Sequence, residues 1–431
     1  TRPTLKQLYT KQGDTSLLDY AHSVLKQGRV SSVLASVLRT EIMRIYHDET
    51  LADRAVQYLH GAQYVSSVDH HGVLSHPAFI QAHIAQAVAN KKNGYDSVLV
   101  FSSASISLDN HTFPRGVSFH DDDGEVKLPL FSSREKQGSV CGMRAPEPRA
   151  LQKVLEGLAW KLPAQCAAAY ARAFDDARHT KNLSDFCTRV NETVFRAFPR
   201  MQDTSLIMIP HEQISAGIIA TSLEIQSYIF NEGFLDAYDM SFRNVTGAHN
   251  DDGTHGTFLF WYIEDTKRMR VYRDGTFLRN ESGMFRIAYE QTTIVPLLDS
   301  GILIPCLAFS YALIGAEGVT LGGGFNQIDY LDTIYSADGK TRDAVGVARP
   351  LYGTADHMGG DMMYASVQKD DARFPATFLD LLAHVDASEE TAFFDTLDTV
   401  TLRDAIDGVI PDAYFTDTGI HIDTYDTPII L

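Results

Sequence analysis

From Thr4 to Leu59 apolar residues recur at helical spacing, and Val30, Val33, Leu34, Val37, Leu38 and Ile42 share one face. The period then changes. Ala62 to Val68 reads as extended chain and Asp69-His70-His71-Gly72 as a turn. Pro77 opens a helix carrying Phe79, Ile80, His83, Ile84 and Val88, proline being suited to a first helical turn. Ser97-Val98-Leu99-Val100-Phe101, after Asn93-Gly94, is a short apolar run of the kind that forms a strand buried on both faces. Strand, turn, helix and strand within about forty residues predict a βαβ unit with a right-handed crossover.

Further along, Leu151, Val154, Leu155, Leu158 and Leu162 form one helical stripe. Leu183, Phe186, Cys187, Val190, Val194 and Phe198 form another. Breaks near Pro163 and Lys181-Asn182 predict a helical hairpin or insert. Ser205 to Ile209 returns to strand and His211 to Tyr228 to helix. Thr257 to Tyr262 and Met269 to Tyr272, joined through Glu264-Asp265-Thr266-Lys267, predict a β-hairpin, and Ile302 to Leu313 is apolar on nearly every side, as buried chain is.

The expected architecture is α/β: a Rossmann-like core with a mostly parallel sheet, a helical insert and an additional C-terminal α+β region. The expected divisions are an N-terminal helical region (1–60), the first part of the core (61–145), the helical insert (146–200), the rest of the core with its hairpin (201–335) and the C-terminal region (336–431).

Composition narrows the class. A chain of 431 residues exceeds one ordinary core, and 44% hydrophobic with 21% charged residues is a globular composition. No stretch approaches the ~18 consecutive apolar residues of a membrane span. The first eighteen residues have no apolar core of a secretory signal. Cys141, Cys166, Cys187 and Cys306 form no CxxC pair and are expected as reduced, buried thiols of a cytoplasmic protein. A net charge of −18, with Lys267-Arg268-Met269-Arg270 as the dense basic run, argues against nucleic acid. The expected partner is a small-molecule substrate, with neither nucleic acid nor membrane; a homo-oligomer stays open.

Candidate chemistry is concentrated in three places. The first is Asp69-His70-His71-Gly72, with His76 and His83 close behind. In an open α/β sheet, ligands bind beyond the carboxyl ends of strands, where the next helix presents free N–H groups. Histidines there can move protons near neutral pH, bind an anion or ligate a metal. His83 is expected in the packed face of its helix, and His70 and His71 in the site. The second place follows the next strand: Asp109-Asn110-His111, then Arg115, whose guanidinium suits a carboxylate or phosphate. The third is Gly322-Gly323-Gly324, with Asn326 and Tyr330, where missing side chains permit close backbone approach to a ligand or simply a turn. His249 to His255 reads as an exposed loop able to supply metal ligands, and Asp356 to Asp361 as a turn or a further site.

The order of these motifs resembles the bacillithiol-biosynthesis cysteine-adding enzyme family. That family has a strand ending in a Gln-Gln-Gly turn, a Gly-Pro-Leu helix start and a strand leading to an acidic-histidine motif. His70-His71-Gly72, His76-Pro77-Ala78 and Asp109-Asn110-His111 stand in those positions, with histidines in place of the glutamines. Phe258-Leu259-Phe260, Arg268-Met269-Arg270-Val271, Val295-Pro296-Leu297-Leu298-Asp299 to Pro305, the glycine triplet and Tyr330 continue the order to about residue 335. The resemblance implies a Rossmann-like core and a ligase-like condensation, with a nucleotide or other anion in the cleft.

Three functional expectations result. The first is a ligase-like biosynthetic enzyme that joins a small amino acid or amine to an anionic substrate. His70, His71, Asp109 and His111 would be catalytic. Asp69, Gly72, His76, Arg115, Gly322, Gly323, Gly324, Asn326 and Tyr330 would bind substrate. The second is a metal-dependent hydrolase with His70, His71, Asp109 and His111 as ligands around a divalent ion. The third is a non-catalytic small-molecule-binding protein. The cofactor stays open between a nucleotide and a divalent metal.

Overall fold

A computed structural model describes residues 2–25, 30–74, 76–110, 115–386, 388–420 and 425–431. At its centre is a four-stranded parallel sheet in the spatial order Thr320–Gly322, Tyr64–Ser66, Ser97–Ser102, Ser205–Pro210. The continuous apolar run of Ser97–Ser102 has a direct cause: its alternate residues serve two cores. Val98 and Val100 pack with Ile80, Ile84 and Val190 on one face, and Leu99 and Phe101 with Leu34, Ile214 and Ile218 on the other. The protein is therefore Rossmann-like α/β, a parallel sheet covered by helices on both faces.

Helix Pro77–Lys92 connects the first two strands and is buried nearly all round, which its mixed Ala, Ile and Phe composition allows. Pro148–Lys161, Ala164–Ala177 and Leu183–Phe195 connect the next two, with breaks at Pro163 and at residues 178–182. The last of these lies directly against Ser205–Pro210, where the Thr188 hydroxyl donates to the Met208 carbonyl at 2.7 Å. The expected insert is thus continuous with the core.

The N-terminal helices divide between the two cores. Pro3–Gln12 and Leu17–Ser23 join the C-terminal segments through main-chain bonds from Leu17 to Val400 and from Leu402 to Thr15. Ser32–Tyr46 and Glu49–Ala62 cover the other face of the sheet. The hairpin forms as Phe260–Glu264 and Lys267–Arg270, tighter than the sequence pattern suggests because Asp265 takes a left-handed φ of 55° in its turn. Leu303–Pro305 pairs antiparallel with its first strand, and helix Leu307–Ala316 is almost wholly buried. The C-terminal region adds the ribbon Ala365–Lys369 and Ala372–Pro375, with Ile429–Ile430 alongside.

Among the described residues no helix is long and apolar enough to cross a membrane. All four cysteines are free thiols, three of them buried and Cys141 half-buried. Burial pushes the Cys141 thiol up to about 12, despite its 3.0 Å contact with the Ser139 hydroxyl.

Candidate functional site

The carboxyl ends of the parallel strands open onto a cleft of about 460 Å3. Ser67, Val68 and His70 follow the first strand; Ser103, Ser105 and Ile106 follow the second. The opposite wall comes from the 244–256 loop, from Trp261 and Arg268 of the hairpin, and from Leu307 and Tyr311 at the start of the buried helix. Gln327 and Tyr330 close the end beside Thr320–Gly322. In chain order, the fourth sheet strand lies on the far side of the first, so the strand order reverses there. Such a switch point is where open α/β sheets bind ligands.

Hydrogen bonds fix the sheet side of this cleft. The Tyr311 hydroxyl donates to the Ser67 carbonyl at 2.8 Å, and Gln327 Nε2 donates to Ser67 Oγ at 2.7 Å. The Glu212 carboxylate is buried and accepts the Ser105 N–H at 2.8 Å and the Ala104 N–H at 3.1 Å. Beside it His211 is fully enclosed, 3.5 Å from Glu212 and against the Tyr311 ring, with neither ring nitrogen hydrogen-bonded among the described residues. Burial pushes the His211 imidazole down and the Tyr311 and Tyr330 hydroxyls up.

Charge is distributed unevenly. Arg268, His70, His249 and His255 line the cleft, and among its described lining residues there is no aspartate or glutamate. For a chain with net charge −18 this is a local reversal of sign. The Arg268 guanidinium lies 4.5 Å from the Trp261 ring centre and forms no salt bridge or side-chain hydrogen bond among the described residues. A cation held on an aromatic face, with its N–H fork unspent, is suited to a carboxylate or phosphate.

His249 is anchored in the cleft wall. Its Nε2 lies 2.7 Å from Asp239 Oδ1, and Asp239 also accepts from Arg243 at 2.8 Å. Partial burial pushes the Asp239 carboxyl up, and the bonds from His249 and Arg243 outweigh it, holding the group below the usual range. Tyr238 and Phe258 pack against the imidazole at 6.1 and 5.1 Å between ring centres.

The residues singled out from the sequence separate into different environments. His70 and Tyr330 line the cleft, His70 with its ring edge-to-face on Phe79 at 6.0 Å. His71 does not: it is fully buried, with Nδ1 2.7 Å from the Ser102 hydroxyl and Nε2 2.9 Å from the Ser184 carbonyl. The carbonyl takes the Nε2 proton, leaving Nδ1 to accept from Ser102, and burial pushes the imidazole down. Asp69 faces the core, where it meets His83 Nε2 at 2.9 Å, and the Gly72 carbonyl accepts from Asn191. His76 stands at the N-cap position of its helix, with its ring tilted against Phe79 at 4.7 Å between ring centres.

Asp109 is on the surface, 3.3 Å from Lys136, and Arg115 precedes the ribbon Gly116–Asp121; neither is among the residues that line the cleft. His111 lies outside the described residues. Asn326 is exposed and accepts from Arg2 at 3.0 Å.

Gly322, Gly323 and Gly324 are glycines because neighbouring side chains press on them: a methyl would meet Tyr64 at Gly322, Gln327 at Gly323 and Asp361 at Gly324. Gly323 N–H donates to the His357 carbonyl at 2.9 Å, and Gly359 N–H donates to the Gly323 carbonyl at 2.9 Å. Asp361 accepts the Phe325 N–H at 2.9 Å. A methyl at Gly324 would meet the Asp361 carboxylate and Val68, and one at Gly360 would meet Val68. The triplet is thus a packing seam in which Asp356 to Asp361 docks on the sheet edge, with the Gly323 amide bonded to His357.

Among the described residues, no three His, Cys, Asp or Glu side chains are grouped to hold a metal ion. Sequence reasoning passed over Glu212, Asp239 and Tyr311. The strand-end rule applied to Ser205 to Ile209 would have found Glu212, whereas Asp239 and Tyr311 come from helices whose sequence carries no such signal. The chain matches no known protein-family profile and no curated protein sequence.

Proposed function

We propose that the chain is a ligase-like enzyme that binds an anionic small molecule in this cleft and joins it to a small nucleophile, with His70 in an acid–base role. The observation that carries the reading is the Arg268 guanidinium, without a salt bridge or side-chain hydrogen bond among the described residues, in a cleft whose described lining holds three histidines and no carboxylate. The strand-end placement and the resemblance of motif order to a cysteine-adding family support it from the sequence side. A cleft of about 460 Å3 is within the range of small-metabolite sites.

The test has two stages. Thermal shift with pyrophosphate, citrate and sugar phosphates should find a stabilising anion, since a ligand that binds only the folded chain raises its melting temperature. That anion is then incubated with amino acids and amines, with and without ATP, and a condensed product is sought by mass spectrometry. Stabilisation without any product would favour a binding protein. Failure of every anion to stabilise would sink the reading.

The metal-dependent hydrolase has less support. His71 has both nitrogens engaged by Ser102 and Ser184, and Asp109 pairs with Lys136 on the surface. Neither is placed to share an ion with His70.

A further inference from the structure

We propose that the hollow between the end of helix Ser32–Tyr46 and residues 176–189 is a second anion site, which takes the phosphate group of a small phosphate ester on the Arg189 guanidinium. It has a volume of about 520 Å3 and shares no described lining residue with the strand-end cleft. Arg189 is carried by helix Leu183–Phe195 and is half-buried, its guanidinium 5.9 Å from the Tyr46 ring centre. Nη1 is spent on the Ile45 carbonyl at 2.8 Å, and Nε is enclosed without a partner. Nη2 is the nitrogen left for a ligand. It has no partner among the described residues and is not one of the enclosed atoms.

The two carboxylates of the lining are committed elsewhere. Asp185 is held by Arg44 at 2.7 and 2.9 Å and accepts from Asn182 Nδ2 at 2.9 Å. Asp176 accepts the Thr193 hydroxyl at 3.1 Å. Arg44 is spent as well, its Nε donating to Glu41 at 3.0 Å. What remains is positive: Arg189, with Lys181 and His47 exposed in the same lining and neither in an ion pair among the described residues. His179 Nε2 accepts from Arg178 Nε at 3.0 Å, so the neutral ring carries its proton at Nδ1 and adds a donor. Water screens a half-buried guanidinium less than a surface cation, which strengthens a charge-assisted bond to it. A phosphate group has three oxygens to share among Arg189, Lys181 and an imidazole N–H, where a carboxylate has two. The volume is within the range of small-molecule sites, so an ester's organic part fits beside the phosphate.

The test is calorimetry with inorganic phosphate and with glycerol 3-phosphate, on the full chain carrying Arg268→Ala so that the strand-end cleft does not contribute. Both probes should still bind this chain. Adding Arg189→Gln should weaken them about ten- to hundredfold, as loss of a charged hydrogen bond does. Lys181→Glu, a change at the exposed surface, should weaken them several-fold. Thermal melting shows whether the Arg189→Gln chain is folded; if it is not, Lys181→Glu decides alone. No binding to the Arg268→Ala chain overturns the proposal, as does an affinity that a folded Arg189→Gln chain leaves unchanged. Binding of inorganic phosphate without glycerol 3-phosphate overturns it too, since the hollow would then exclude an ester.

Discussion

The Glu212 carboxylate accepts the Ser105 N–H at 2.8 Å, tying the first turn of one helix to the loop that follows the neighbouring strand. Ala104 N–H shares the same carboxylate, so one buried side chain sets the shape of the cleft floor. Glu212→Gln removes the charge from both bonds and, with its oxygen in the Oε1 position, turns an amide N–H₂ toward the Ala104 N–H. Hydrogen bonds to charged groups are each worth about 1.5–3 kcal/mol, so a loss of about that size is expected. Urea unfolding of wild type and variant measures it; an unchanged midpoint would remove Glu212 from the account of the cleft.

Arg268 should govern affinity more than stability. Its guanidinium is free of internal salt bridges among the described residues, so Arg268→Ala exposes no buried partner. With a charged hydrogen bond worth about 1.5–3 kcal/mol, anion affinity should fall about ten- to hundredfold. Arg268→Lys should restore part of it, because the charge returns without the planar fork. Calorimetry with the stabilising anion gives both numbers.

Stability should fall on mild acidification. Burial pushes His71 and His211 down in the folded protein, so the unfolded chain takes up these protons first as pH drops below ~6.5. Stability is then full above that value and declines below it, each group adding a slope of about 1.4 kcal/mol per pH unit. His211→Phe keeps a flat ring and removes two unsatisfied nitrogens. Its unfolding free energy should vary less between pH 5 and 7 than the wild type's, and an identical slope would refute the assignment.

The glycine seam admits no side chain. Gly360→Ala would drive a methyl into Val68, and Gly324→Ala would drive one into both Val68 and the Asp361 carboxylate. Overpacking of this kind costs about 1–3 kcal/mol, and both variants should melt earlier than the wild type. Gly94→Ala is a control of another kind: its left-handed φ of 77° meets open space, so any loss there is backbone strain alone.

The sequence by itself determined the elements whose residues answer to a single period. Ser97 to Phe101 is apolar at successive positions because both faces of a central parallel strand are covered. The helix from Pro77, the strand at Ser205 and the breaks at Pro163 and Lys181-Asn182 follow from equally local rules. Local rules also placed His70 at a strand end.

Tertiary structure decided which side of that strand end each residue serves. His70 and His71 are neighbours in sequence, yet one lines the cleft and the other is enclosed by Ser102 and Ser184. Successive extended residues point to opposite sides, and no pattern states which side is open. The glycine triplet shows the same limit. Its sequence fits a ligand cradle or a packing seam equally well, and only the approach of Asp356 to Asp361, more than thirty residues later, selects the seam. Asp239 and His249 meet through a helix end and a loop folded back on it. Their pairing is a matter of distance in space, which residue order does not contain.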